Sequence, residues 1–160
     1  HLQTLFLGGT NVSDISALVN CTLLEDLNLM NTPVLNISAL GKCVRLQHLD
    51  LSGTQVSNIS ALGNCADLVA LDLRSTQVSD IFCLGNCLYL AELFLFETQI
   101  TDISCLSKCV YLRRLFLLGC KISDITALEN CVCLNELYLP ENQVYDLSYL
   151  AKCPLKEVIQ

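Results

Sequence analysis

The sequence predicts an α/β solenoid: a right-handed superhelix with a curved parallel sheet on its concave face and short 3₁₀ or α turns on its convex face. Three observations predict it. Leucine returns with a constant step of 22 residues, at Leu2, Leu24, Leu46, Leu68, Leu90, Leu112 and Leu134. Two more leucine columns keep that step, one from Leu5 to Leu137 and one from Leu7 to Leu139. A cysteine column does the same, at Cys21, Cys43, Cys65, Cys87, Cys109, Cys131 and Cys153. A fixed period of this length marks an array of units that bury their apolar side chains only by stacking. The chain therefore reads as one domain, 1–160, of seven repeats (1–22, 23–44, 45–66, 67–88, 89–110, 111–132 and 133–153) and a partial C-terminal repeat.

Each unit opens L-x-x-L-x-L, whose second half alternates as a short strand does. Two leucines point inward and the residue between them points outward. Because all units run the same way, stacked strands must be parallel, at about 4.8 Å spacing. A bend follows, with Thr10, Thr32, Thr54, Thr76 and Thr98 in one column and Cys120 and Asn142 closing it. A hydroxyl there can bond the backbone groups that the turn leaves over. Asn142 can do so equally well and Cys120 only weakly, so the bend at Cys120 is expected to be the least satisfied. Next stand Val12, Val34, Val56, Val78, Ile100, Ile122 and Val144, an inward column. The return begins at Asp14, Asn36, Asn58, Asp80, Asp102, Asp124 and Asp146, residue types that cap helices. The Ile-Ser-Ala-Leu-x-x-Cys that follows fits one or two helical turns of 3₁₀ type and leaves no room for a long α-helix.

The repeated pattern resembles the leucine-rich repeat family, L-x-x-L-x-L-x-x-N-x-L, with Thr at the usual Asn position. Its 22-residue length and the return "VSDISAL" resemble the short repeats of bacterial internalins and of a regulatory subunit of protein phosphatase 1. Thr together with the C-x-x-L of "CTLL" resembles repeat proteins of trypanosomatid parasites, some described as adenylate cyclase regulators. The resemblance covers residues 1–153 and implies the solenoid. It implies little about activity, because such folds bind many unrelated partners.

The net charge of −7 argues against nucleic acid and against anionic membrane surfaces as partners. No apolar run approaches the roughly 20 residues that cross a bilayer. Nothing in the first residues reads as a signal peptide, since His1 is followed directly by repeat sequence, and this says little about compartment. Leu2 opens a full repeat with no polar cap before it, and after Cys153 the register slips by one residue through Pro154 to Leu155 and Val158. Both ends thus read as those of a piece of a longer protein.

The chain has 11 cysteines. Besides the column of seven, Cys83 and Cys105 occupy a small-residue column, Cys120 the Thr column, and Cys133 precedes Leu134. Neighbours in the column would stand about 5 Å apart, within the Cα range of a disulfide. Parallel side chains and an odd number argue against pairing, and even spacing without C-x-x-C argues against zinc. The favoured reading is a small buried hydrophobe, which implies a reducing, cytoplasmic setting. Four N-x-S/T sequons, at Asn11, Asn20, Asn36 and Asn58, point instead to an extracellular setting. They read as by-products of Ser- and Thr-rich turns.

No catalytic residues are assigned. His48 is the one internal histidine, on the outward side of a strand beside Asp50 and Asp72, with no nucleophile placed to use it. There is no phosphate-binding glycine motif, and no cofactor or metal is expected.

Function should lie in the columns that do not repeat. Between the paired strand leucines stand Phe6, Asn28, Asp50, Asp72, Phe94, Phe116 and Tyr138. Just after the second leucine stand Gly8, Met30, Ser52, Arg74, Phe96, Leu118 and Pro140. Repeats two to four then present a polar, mostly acidic strip. Repeats five to seven present an apolar block of Phe94, Phe96, Phe116, Leu118, Tyr138 and Pro140, edged by Glu92, Arg114 and Glu136. Exposed aromatics rimmed by Arg and carboxylates are the composition of a protein-binding hot spot. The expected function is a non-enzymatic module that binds a protein or peptide there, with a regulatory role in signalling. A homodimer through the same block and a flanking segment packed over it are the alternative occupants. An extracellular adhesion or recognition module of internalin type is the alternative function.

Overall fold

The computed structural model describes residues 1–141 and 143–159. Its strands are β1 (Thr4–Phe6), β2 (Asp26–Asn28), β3 (His48–Asp50), β4 (Ala70–Asp72), β5 (Glu92–Phe94), β6 (Arg114–Phe116), β7 (Glu136–Tyr138) and β8 (Glu157–Ile159). They form a single sheet in chain order, each parallel to the next. The register carries the repeat: Leu5 pairs with Leu27 and Leu27 with Leu49, whereas Leu137 pairs with Val158, one residue short of the full step. That shortening is the slip read at Pro154. Strands of 3 residues persist because stacking, not strand length, supplies their partners. Leu29 donates to the Asp50 carbonyl at 2.8 Å and Leu51 to that of Asp72 at 2.9 Å.

Each strand leaves through a bend held by threonine. The Thr54 N–H closes on the Leu51 carbonyl at 3.1 Å, and the Thr54 hydroxyl donates to the same oxygen at 2.6 Å. Thr10, Thr32, Thr76 and Thr98 repeat the hydroxyl bond at 2.6–2.7 Å. Cys120 keeps the backbone bond to Leu117 at 3.0 Å. Its sulfur turns away, to the Leu95 carbonyl at 3.1 Å and the Thr98 hydroxyl at 3.3 Å, so Leu117 lacks the second donor. Asn142 lies outside the described residues. The residue before the threonine, or before Cys120 in its place, is left-handed, with φ of 67° at Gly53, 76° at Gly119 and 53° at Asn31. Glycine and asparagine suit that conformation; Ser75 (φ 54°) and Glu97 (φ 57°) hold it under strain.

The returns are 3₁₀ helices of 5 residues in repeats one to six, from Ser16–Asn20 to Thr126–Asn130. In the last unit the helix spans Leu147–Leu150. All seven residues read as caps accept a backbone N–H two residues on, but only Asp146 stands at the N-cap itself; in the other six units the N-cap is the isoleucine that follows, from Ile15 to Ile125. The Asp14 carboxylate accepts from the Ser16 N–H at 2.8 Å, and Asn58 from Ser60 at 2.9 Å. Asn36, Asp80, Asp102, Asp124 and Asp146 do likewise two residues on, at 2.7–2.9 Å. These backbone bonds hold the carboxyls of Asp14, Asp102 and Asp124 below the usual carboxylate range. Asn36 and Asn58, two of the sequon residues, thus have their side-chain oxygens engaged.

Between sheet and returns lies one continuous core of the leucine, valine and isoleucine columns. A fully buried leucine contributes about 1.5–3 kcal/mol. Ordering a residue costs about 1–2 kcal/mol, so a lone repeat cannot hold its shape. Stability belongs to the stack.

The cysteine column sits inside the returns. Cys43, Cys65, Cys87, Cys109 and Cys131 are fully buried, while Cys21 and Cys153 at the ends are half-buried. Each buried sulfur is directed at a leucine carbonyl one repeat back: Cys43 at Leu18 (3.5 Å), Cys65 at Leu40 (3.4 Å), Cys87 at Leu62 (3.6 Å). Cys105 reaches the Ile81 carbonyl at 3.2 Å in the same manner. All the cysteines are free thiols. Burial pushes Cys65, Cys87 and Cys131 from the ordinary 9.0 up to about 12.

Repeat seven departs from the pattern. Val144, expected in the inward column, is fully exposed, and Tyr145 is buried. The Tyr145 hydroxyl donates to the Ile122 carbonyl at 2.7 Å, supplying a polar anchor that valine could not. Pro140, expected on the exposed apolar block, is buried in the same stretch, where the chain leaves the common path.

Candidate functional site

The outward residues of β5, β6 and β7 stand in register: Phe94 beside Phe116, and Phe116 beside Tyr138. Parallel strands hold like positions about 4.8 Å apart, close to the distance at which aromatic rings stack. The Phe94 and Phe116 centroids are 4.8 Å apart with 24° between planes, and those of Phe116 and Tyr138 are 4.3 Å apart with 13°. The three rings form a half-buried ladder on the sheet. β8 lengthens it, because Ile159 pairs with Tyr138. Sequence reasoning missed Ile159, which the slip at Pro154 moves off the 22-residue count.

A charged ladder runs beside the rings. Arg114 Nε donates to Glu136 at 2.9 Å, and its Nη1 lies 3.5 Å from Glu92. The guanidinium carbon sits 5.6 Å from the Phe94 centroid and 5.5 Å from that of Phe116. Such contacts favour the charged form, and the hydrogen bond to Glu136 raises the Arg114 pKa. On the far side, a hydrogen bond to Glu157 raises the Tyr138 hydroxyl. Of the column after the second leucine, Phe96 is exposed and Leu118 half-buried.

In repeats two to four the outward column is polar, and it has a local task. Asn28, Asp50 and Asp72 each accept from the N–H two residues on, at 2.9–3.0 Å. Asn28 also donates to Asp50 at 3.1 Å. Arg74 grips Asp72 through Nη2 at 2.6 Å, and His48 Nδ1 lies 2.6 Å from Asp26. His48 therefore has a carboxylate partner.

Two other surfaces escaped the sequence reading. Tyr89 and Tyr111 stack at 6.1 Å on the segment between return and strand, amid exposed Leu88, Val110 and Val132. Their signal was a column shared only by neighbouring units. The larger groove, about 790 Å³, lies on the convex side along the first three repeats. Its Asp14 and Asn36 are already engaged as caps. The strand face gathers aromatic rings and charged groups in a way the groove does not.

Comparison with known proteins agrees with this architecture. The family model for leucine-rich repeats, in two copies, matches residues 90–130. No curated protein matches the sequence. Internalin C2 from Listeria monocytogenes is 31% identical with a TM-score of 0.93, over 98% of this chain and 70% of that one. Another internalin from the same organism is 26% identical with a TM-score of 0.91, over 98% of this chain and 47% of that one. The chain thus spans about half the length of that second internalin. The ectodomain of a plant membrane receptor kinase from Arabidopsis thaliana shares the fold at 21% identity and a TM-score of 0.82, over 98% of this chain and 21% of that one. That ectodomain was solved in complex with CASPARIAN STRIP INTEGRITY FACTOR 2. No helix among the described residues is long and apolar enough to cross a membrane.

Proposed function

The chain belongs to the leucine-rich repeat family, and on that premise we propose that it is a non-enzymatic module that holds a protein or peptide partner on its strand face. The observation that carries this reading is the stacked row Phe94, Phe116 and Tyr138, left partly open to solvent beside Arg114. A ring ladder adds little to folding that a polar residue could not replace, since Asn28, Asp50 and Asp72 fill the same column in other repeats. Pre-stacked rings also lose little conformational freedom on binding. In this reading Phe94, Phe96, Phe116 and Tyr138 anchor the partner, Leu118 borders them, and Arg114 with Glu92 and Glu136 forms the polar clamp.

The test is the double substitution Phe94→Ser with Phe116→Ser. Partner capture should be abolished while the melting temperature stays within a few degrees. Unfolding of the double variant would make these rings core and defeat the proposal. Sedimentation of the wild type against the same variant decides whether a second copy of the chain is the occupant.

The role we favour is regulatory and inside the cell, supported by thiols that are buried and held protonated, which suits a reducing compartment. The second reading, an extracellular recognition module of internalin type, draws on the 31% identity to internalin C2 and on exposed sequons at Asn11 and Asn20. Intact-mass measurement of the native protein separates the two: attached glycan or oxidised cysteine supports the second.

A further inference from the structure

Resting on that reading of the strand face, the geometry points to a partner of defined chemistry. We infer that it is a basic segment: one Lys or Arg enters a hollow beside Ala70, and an aromatic or large aliphatic residue three or four positions away lies on the Phe94 and Phe116 rings.

The hollow has a plain origin. Ala70 stands in a column otherwise filled by Thr4, Asp26, His48, Glu92, Arg114 and Glu136, and its missing side chain opens about 190 Å³ between His48, Asp50, Asp72 and Phe94. Pockets for drug-sized ligands run from about 300 Å³ upward, so this space suits one side chain. Its charge is lopsided. Asp72 is held by Arg74, and Asp26 by His48 when that ring is protonated. Asp50 accepts only from neutral donors: Asn28 at 3.1 Å, the Ser52 N–H at 2.9 Å and the Ser52 hydroxyl at 2.6 Å. Among the described residues it forms no ion pair within 4.0 Å. Across the whole face, Asp26, Asp50, Asp72, Glu92, Glu97 and Glu136 outnumber Arg74 and Arg114. A basic segment is steered onto such a surface, and an acidic one is repelled.

The spacing follows from the sheet. Ala70 is on β4 and Phe116 on β6, two strand separations apart, or about 10 Å. An extended chain covers about 3.3–3.6 Å per residue, so about three residues bridge the two positions.

The experiment is selection of a random twelve-residue peptide library on the immobilised protein, run in parallel on Asp50→Asn and on Phe94→Ser/Phe116→Ser. Enriched peptides should carry Lys or Arg three or four positions from an aromatic or large aliphatic residue, in either order. A synthetic peptide of that kind should bind Asp50→Asn about three- to tenfold more weakly. The same peptide with norleucine in place of the cation should bind wild type and Asp50→Asn alike. Enrichment of apolar peptides with no cation overturns the inference and leaves the partner face standing. Enrichment of the same peptides on Phe94→Ser/Phe116→Ser overturns both. A library that enriches nothing on the wild type, or self-association that this double variant abolishes, overturns the basic peptide as occupant.

Discussion

Raising the pH from 8 to 10 should cost the fold much of its stability, through its thiols. Cys65, Cys87 and Cys131 are fully buried and burial pushes each to about 12, against 9.0 for an ordinary thiol. Between those two values the native state keeps a proton that the unfolded chain has released. The native state is thus the one with more bound protons, and its stability, complete below pH 9, falls as the pH rises. One pH unit above the unfolded value corresponds to about 1.4 kcal/mol per thiol. The three together lose about 4 kcal/mol by pH 10, a large part of the 5–15 kcal/mol typical of a domain. The assay is urea denaturation under reductant at half-unit steps of pH, for wild type and for Cys87→Ala. Removing that thiol lowers stability at every pH, but its curve should decline by about 1.4 kcal/mol less between pH 8 and 10 than that of wild type. Parallel curves would refute the reasoning, because they would mean that Cys87 ionises as freely when folded as when unfolded.

Three further outcomes test the scaffold by the same urea titration at neutral pH. Leu71→Ala, in the middle of the stack and fully buried, should cost about 3–5 kcal/mol. Gly53→Ala should cost more than about 1 kcal/mol, because Gly53 has a positive φ and a methyl group there would strike the Asn31 side-chain oxygen. Cys120→Thr should gain about 0.5–1 kcal/mol, since a hydroxyl would restore the missing donor to the Leu117 carbonyl; no gain would show that the sulfur's bond to Leu95 already compensates.

Most of the scaffold was legible in the sequence because a 22-residue period leaves few ways to bury three leucine columns. The strand pairs, the threonine bends, the caps and the inward cysteines all follow from column position. The candidate face was legible for the complementary reason: Phe94, Phe116 and Tyr138 stand at an outward position that the scaffold leaves open. What escaped was whatever the period does not encode. Left-handed geometry at Asn31, Ser75 and Glu97 has no residue signature, because only three of the six left-handed positions are glycine. Repeat seven kept its leucines but exchanged Val144 for Tyr145, a swap set by a hydroxyl finding the Ile122 carbonyl. Ile159 was hidden by a one-residue offset, and the Tyr89–Tyr111 stack by being confined to two neighbouring units.

Since each turn of the coil meets only the turn above and the turn below, the molecule can change length in whole units without disturbing its interior. Adding or excising one turn would shift everything beyond it by a single strand width, so the separation between Ala70 and the phenyl rings is adjustable only in increments of about 4.8 Å. A descendant of this chain could thus reset the spacing of its surface groups by duplication alone, long before any individual side chain was replaced.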